Sequence, residues 1–565
     1  MTTPLAEPIT WDAPLEDLDR HLDEVHAKIQ AERAARKARR EADAGIFLYD
    51  GDWNCRGCAA GYIDYSAEWK KNVSAGATLT MPADHHLSRW GLDVKARIGA
   101  ENIHMTIDKD GARWGGRCQD VTLNKAADGT RTVVFTFNDD IKELECIQIW
   151  SNPFLMAALQ WPKSFVLAGP ARYMLKLTLF LNLIRLHGNF WHLPDNPLDM
   201  ATWFEGVIPW DWSIAVTADN ILLDDSQWCV IDSRFKNFME LATPILEDAG
   251  LMITTRRWLN GDPTPDGWLG PLRNGQLIID IVDKSGVYDQ TATGGTIFGG
   301  MLRTVTTIGD NLVDDIVTSV ASPAEPAQYS VSKWMGTAPQ QPWVVLRDGE
   351  ITPIESASYT WQPATVVQIN AGGRSAPGVN SAISMGVQLM GTLVGAAFGL
   401  QTAGQLLDTA IAPLYADVLL AFGSVKSPVR ASQLGWSHYH EGWAQGGEIA
   451  WALSGIVAIR EAFYATRSRS TCTVKINSSG PYLIGDQGQG HFFLGDRVGV
   501  LLTGMPDGAY NVAQVSGLKL SASRDSAPGW DVTTGDPRAA ESPIARLLNQ
   551  SKTVFAALKN LGVWA

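Results

Sequence analysis

The sequence predicts an α+β protein of several domains, with β-barrel or sandwich units, α/β insertions and one apolar helical insertion. Three observations carry this. Short alternating β-type runs with Gly- and Asp-rich turns lie near both ends, over 46–150 and 471–541. Runs of helical spacing interrupt them. From Ser375 to Leu407 there is no charged residue at all. The length of 565 residues allows three or four domains, each able to bury a core.

Residues 1–45 read as one helix over 12–43. Asp12 and Pro14 suit its cap and first turn. Leu15, Leu18, Leu22, Val25 and Ile29 follow a 3-4-3-4 spacing, a short heptad seam suited to docking on a partner or on the chain's own body. Acidic residues fill its first half. Arg33, Arg36, Lys37, Arg39 and Arg40 fill its second, as the helix dipole prefers.

Residues 46–150 turn to strands at Ala77–Met81, Ile103–Ile107 and Thr132–Phe137. Asp108–Gly111 reads as a hairpin turn, and Ala126–Gly129 as another. Residues 151–235 form an aromatic-rich insertion with a helix over Arg172–His187. Residues 236–375 read as an α/β domain. In it an amphipathic helix spanning Arg234–Gly250 ends at its glycine, with strands at Leu251–Arg256 and Gln276–Val282.

Residues 376–470 form the apolar Gly/Ala-rich insertion. Its segment Ala382–Leu400 is 19 residues long, about what a bilayer crossing needs. Gly391, Gly395 and Gly399 fall four apart, which lets helices approach backbone to backbone. Further apolar runs follow at Tyr415–Phe422 and Glu448–Tyr464. Residues 542–565 close the chain as a helix.

Composition narrows the function. A net charge of -14 argues against a nucleic-acid-binding surface, which needs clustered Lys and Arg. The polar N-terminus predicts no signal peptide, and six cysteines are too few for a disulfide scaffold, so folding in a reducing cytosol is expected. Cys55 and Cys58 form one CxxC. A zinc site would need a second pair, with Cys118 and Cys146 available by default. His438, His440 and Glu441 cluster without HExxH spacing, and His85-His86 is no better. No nucleophile elbow, phosphate-binding loop or dinucleotide fingerprint occurs. Twenty-two tryptophans suit a sugar groove, cores or subunit interfaces. No catalytic residue and no cofactor is assigned.

Several stretches, in order, resemble a known family. They are Phe47–Trp53 with Ala75–Pro82; Phe238–Leu241 with Leu246–Leu251; Ile281–Gly286 with Gly299, Gly300 and Arg303; Asn370–Asn380; and Leu494–Val500 with Gly517–Leu520 and Trp530. Over 46–535 the chain resembles the minor tail proteins of actinobacteriophages (siphoviruses) that form the tail-tip or baseplate hub. The resemblance implies hub-type β-barrel domains, a virion location and a structural, non-enzymatic role. It implies a homotrimer whose two barrel domains per subunit match a distal tail protein hexamer. The tape measure protein and the phage DNA would use the lumen, where negative charge would keep DNA from sticking. Other minor tail proteins or receptor-binding fibres would attach outside. Three apolar insertions packed through Gly391, Gly395 and Gly399 would close the tip. On opening, Met385, Leu389, Leu393, Phe398 and Leu400 would meet the host membrane. The alternatives are a tail-associated cell-wall hydrolase and a membrane-active channel protein.

Overall fold

A computed structural model describes residues 15–188, most of 193–285, 320–321, most of 342–372, 422–444 and most of 459–535. One helix precedes the sheets: α1, Leu15–Glu41, as its spacing predicts.

The first sheet unit holds β1 (Gly45–Tyr49), β2 (Cys55–Cys58), β3 (Asp64–Lys70), β4 (Gly76–Pro82), the short α2 (His86–Leu92), β5 (His104–Lys109), β6 (Ala112–Lys125) and β7 (Arg131–Asp139). Alternation drives these strands. In β7 the buried residues are Val133, Phe135, Phe137 and Asp139, every second position. The β5–β6 turn falls at Asp110-Gly111, both at positive φ, the geometry that suits a two-residue hairpin.

The second unit follows with α3 (Ile141–Glu145), β8 (Gln148–Ile149), β9 (Phe165–Pro170), α4 (Ala171–His187), β10 (Ile214–Val216), β11 (Trp228–Ser233), β12 (Lys236–Asn237), α5 (Phe238–Asp248), β13 (Leu251–Arg257) and β14 (Leu277–Asp283). Asn237 caps α5 by accepting from the Glu240 N–H at 2.6 Å, and Gly250 follows the helix at φ +68°. Residues from the aromatic-rich stretch and from the α/β stretch share one core: Leu175, Leu179, Leu183 and Trp212 pack with Phe238, Leu246, Leu251 and Ile279.

The remaining strands are β15 (Val320–Ala321), β16 (Val345–Arg347), β17 (Ile354–Gln362), β18 (Val366–Gly372), β19 (Phe422–Lys426), β20 (Tyr439–Trp443), β21 (Arg469–Ile476), β22 (Arg497–Leu501), β23 (Tyr510–Ser523) and β24 (Ser526–Thr534). α6, Pro428–Leu434, lies between β19 and β20. β23 pairs with β3 from Gly517↔Lys70 to Ser523↔Asp64. That joins the two ends of the chain into a single 12-stranded sheet, with the path β16-β22-β23-β3-β4-β7-β6-β5-β1-β2 and with β15 and β24 also on β23.

The mixed α+β class therefore stands, with sheets dominant. Two expectations are corrected. No closed barrel forms among the described residues, because β23 adds to β3 and the sheet stays open. Within the 376–470 insertion, residues 422–444 are not helical throughout either. Residues 422–444 supply two strands that flank β18, with α6 between them. The Gly391–Gly395–Gly399 element and the C-terminal helix expected at 542–565 lie outside the described residues.

A buried charge cluster ties the two units. Arg257, at the end of β13, donates to the Asp140 Oδ1 at 2.9 and 2.7 Å, to Glu143 and to the Gly275 carbonyl at 3.0 Å. Its guanidinium lies 4.7 Å over the Trp53 ring, and Trp53 stacks on His104 at 4.5 Å. Burial would lower the Arg257 pKa, but the carboxylates of Asp140 and Glu143 hold it above its ordinary value. Asn72 adds a second tie: its amide donates to the Leu251 carbonyl at 3.1 Å and accepts from the Ile253 N–H at 3.0 Å, as a neighbouring strand would.

His104 is buried beside two arginines. Desolvation, with Arg257 and Arg117 nearby, lowers its pKa to about 3 from 6.5. A lowered pKa means the unfolded chain takes up the proton first. His104 therefore contributes stability that is complete above about 6.5 and is lost as pH falls toward about 3. We expect His104→Phe to flatten this acid limb, read as a smaller drop in thermal midpoint between neutral and acidic buffer. Equal drops in both proteins would refute it. We expect Arg257→Ala to cost about 3–5 kcal/mol in urea unfolding, because it strands two carboxylates that it had paired.

Candidate functional site: a helix tethered at one end

α1 is the candidate interaction element. Its 27 residues give it a length of about 40 Å. Leu22 is 62% exposed, while Val25 and Ile29 are half-buried. Leu15 and Leu18 lie in the same helix, but their side chains are outside the described residues. Part of the seam thus faces solvent, and α1 touches the sheet at β24.

The C-terminal end of α1 is held differently. Lys109 is buried at the β5–β6 hairpin and donates to the Arg39 carbonyl at 3.1 Å and the Ala42 carbonyl at 2.6 Å. Both carbonyls lie at the helix end, the Arg39 one also accepting from the Ala42 N–H at 3.3 Å, and a cation there also meets the negative end of the dipole. Asp110 completes the anchor, 3.6 Å from the Arg39 Nε and 3.7 Å from Lys109. Burial lowers the Lys109 pKa while Asp110 opposes that shift. The sequence shows the turn Asp108–Gly111. It does not show that the lysine in it caps a helix 70 residues upstream, because that contact exists only once α1 and the hairpin meet.

The metal candidates do not converge. Among the described residues no group of three or more His, Cys, Asp or Glu is placed to hold an ion. Cys55 and Cys58 are exposed on the edge strand β2, and Cys146 is exposed after α3. His85 serves instead as the cap of α2, accepting from the Leu87 N–H at 3.3 Å. His438 and His440 sit 5.3 Å apart in ring contact, with the His438 Nδ1 against the Gly435 carbonyl. No described helix is long and apolar enough to cross a membrane. The plug residues Met385, Leu389, Gly391, Leu393, Gly395, Phe398, Gly399 and Leu400 lie outside the described residues.

The family model for the siphovirus ReqiPepy6 Gp37-like protein matches residues 45–536. The chain belongs to this family. It is 33% identical over 590 aligned residues to the minor tail protein Gp28 of Mycobacterium phage L5, covering 96% of this chain and 99% of that one. It is 31% identical to the minor tail protein Gp28 of Mycobacterium phage D29, over 96% of this chain and 98% of that one. Among solved structures, the tail protein from Neisseria meningitidis MC58 aligns with 89% of this chain and 99% of its own, at 11% identity and a TM-score of 0.36. The family match starts at 45, where β1 begins, so α1 lies outside the matched stretch.

Lys109→Met keeps the apolar stem and removes the hydrogen bonds. We expect it to release the C-terminal turn of α1, seen as at least tenfold faster amide exchange over 33–42 with exchange in β4 and β7 unchanged. Unchanged exchange over 33–42 would show that the anchor is elsewhere.

Proposed function

We propose that this chain is a minor tail protein that builds the hub of a siphovirus tail tip, without enzymatic activity. The observation that carries the reading is the match along 96% of this chain and 99% of a minor tail protein, at 33% identity. In this reading three copies form a ring that continues the tail tube below the distal tail protein hexamer. The tape measure protein and DNA pass through it. α1, through Leu22, Val25 and Ile29, docks on a neighbouring tail component, and receptor-binding fibres or other minor tail proteins attach outside. The 376–470 insertion supplies the plug or the membrane contact of the tip.

Surface chemistry supports an assembly role. Trp161 is 76% exposed, Leu198 95% and Met200 84%, with Phe154, Leu159, Leu222 and Leu223 also exposed within the 151–235 insertion. Large apolar side chains in such number are unusual on a chain that stays alone in water, and they suit subunit contacts. The exposed Leu22 of α1 also suits docking.

The oligomeric mass of the purified full-length chain tests this. Light scattering in detergent-free buffer should give three times the 61.4 kDa chain mass. A monodisperse monomer or dimer across the accessible concentration range would contradict the trimeric ring.

A further inference from the structure

The sheet β19-β18-β20 has one face in a core and one in solvent. Ile369, Ala371 and Ala444 pack with Ile459 and Phe463 on the inner side. The register fixes the outer side. β18 runs parallel to β20 with Val366 beside Tyr439, Gln368 beside Glu441 and Asn370 beside Trp443. It runs antiparallel to β19 with Gln368 beside Lys426 and Asn370 beside Ser424. Residues two apart on a strand share a face, so Tyr439, Glu441 and Trp443 stand in one row. Beside them stand Gln368 and Asn370, then Lys426 and Ser424.

This face is composed in an unusual way. Tyr439 is 75% exposed and Trp443 55% exposed. Four residue steps along the strand set them about 13 Å apart. Between them Glu441 is fixed by two amides: the Gln368 Nε2 donates to Oε1 at 2.7 Å and the Asn370 Nδ2 to Oε2 at 3.2 Å. The Gln368 Nε2 also donates to the Asn370 Oδ1 at 3.4 Å. Each carboxylate oxygen and each amide oxygen keeps a further lone-pair direction. The row therefore presents an aromatic plane at each end and a pre-set line of hydrogen-bonding groups between them. Apolar association with another protein would want a continuous apolar centre, which Glu441 and its amides deny. A lipid surface would have to desolvate the same carboxylate.

We propose that this face binds an uncharged oligosaccharide, with pyranose rings laid on Tyr439 and Trp443 and hydroxyls bonded to Glu441, Gln368 and Asn370. A pyranose ring has an apolar C–H face and a hydroxyl rim, which is the pairing that this row of side chains offers. The flat, open shape suits a chain of sugars passing along the strand more than one sugar held in a cavity. The proposal does not rest on the trimeric hub. Sugar binding by a monomer would stand if the ring failed, and a trimer without sugar binding would leave the hub standing.

The test is saturation-transfer NMR on the full-length chain with short oligomers of N-acetylglucosamine and of glucose as probes. Transfer to sugar ring protons is expected with at least one series. It should be lost in Trp443→Ala and Tyr439→Ala, and Glu441→Gln should weaken binding roughly tenfold by removing a charge-assisted acceptor. Trp361→Ala, an exposed tryptophan on another sheet, should leave it unchanged. Circular dichroism verifies that each variant is folded. No transfer with either series would overturn the proposal, as would transfer that survives Trp443→Ala. A change in oligomeric mass on Trp443→Ala without sugar binding would also overturn it, marking the face as a protein interface.

Discussion

The fold turns on one buried cation. Arg257, at the end of β13, is buried and finds two carboxylates, a carbonyl and an indole face around it. An isolated guanidinium in that position would be prohibitive, so the cluster exists only when all its parts arrive together. Its parts come from three places: Trp53 and His104 from the sheet unit, Asp140 and Glu143 from the cap and body of α3, and Gly275 from the loop before β14. Gly275 has φ +81°, and a side chain there would collide with the Trp53 ring. The requirement for glycine at that position is therefore set by a residue more than 200 positions away. The sheet and the α/β layer meet in a single arrangement because this cluster accepts no other.

Around that clasp the molecule uses the same device repeatedly, a side chain that does a backbone's work. Asn72 imitates a strand beside β13. Lys109 supplies the donors that the end of α1 lacks. Gln514 donates to the Lys284 and Gly495 carbonyls, and Lys284 pairs with Asp496 at 2.5 Å. The Gln514 and Lys284 ties hold the C-terminal strands to the α/β unit, while β23 itself pairs with β22, β24 and β3.

Much of the local structure was legible in the sequence. Alternation marked β4, β5 and β7, the heptad spacing marked α1, and Gly250 marked the end of α5. Long-range pairing was not. Nothing in Gly517–Ser523 says that it lies beside Asp64–Lys70, since any strand with one apolar face would suit, and this is why the expected barrels became one open sheet. The 422–444 strands were hidden for a related reason: the uncharged stretch upstream suggested helices throughout, while β19 and β20 form only against β18. Of the candidate site, the helix α1 and the spacing of its apolar residues were visible in the sequence. Its anchor was not, because a lysine in a polar turn looks solvated until its partner helix is placed. The row Tyr439–Glu441–Trp443 was visible only as a histidine-rich motif. Its use depends on the parallel neighbour that supplies Gln368 and Asn370.

The central claim is that the buried arginine cluster makes the N-terminal sheet and the α/β layer one cooperative body. Native-state hydrogen exchange across a low-denaturant series tests it most directly. The account predicts that the amides of β6, β7, β13 and β14 converge on a single opening free energy and the same denaturant dependence. Opening of β13 and β14 at clearly lower free energy, with β6 and β7 still protected, would contradict it and would make the cluster a contact between two independent domains.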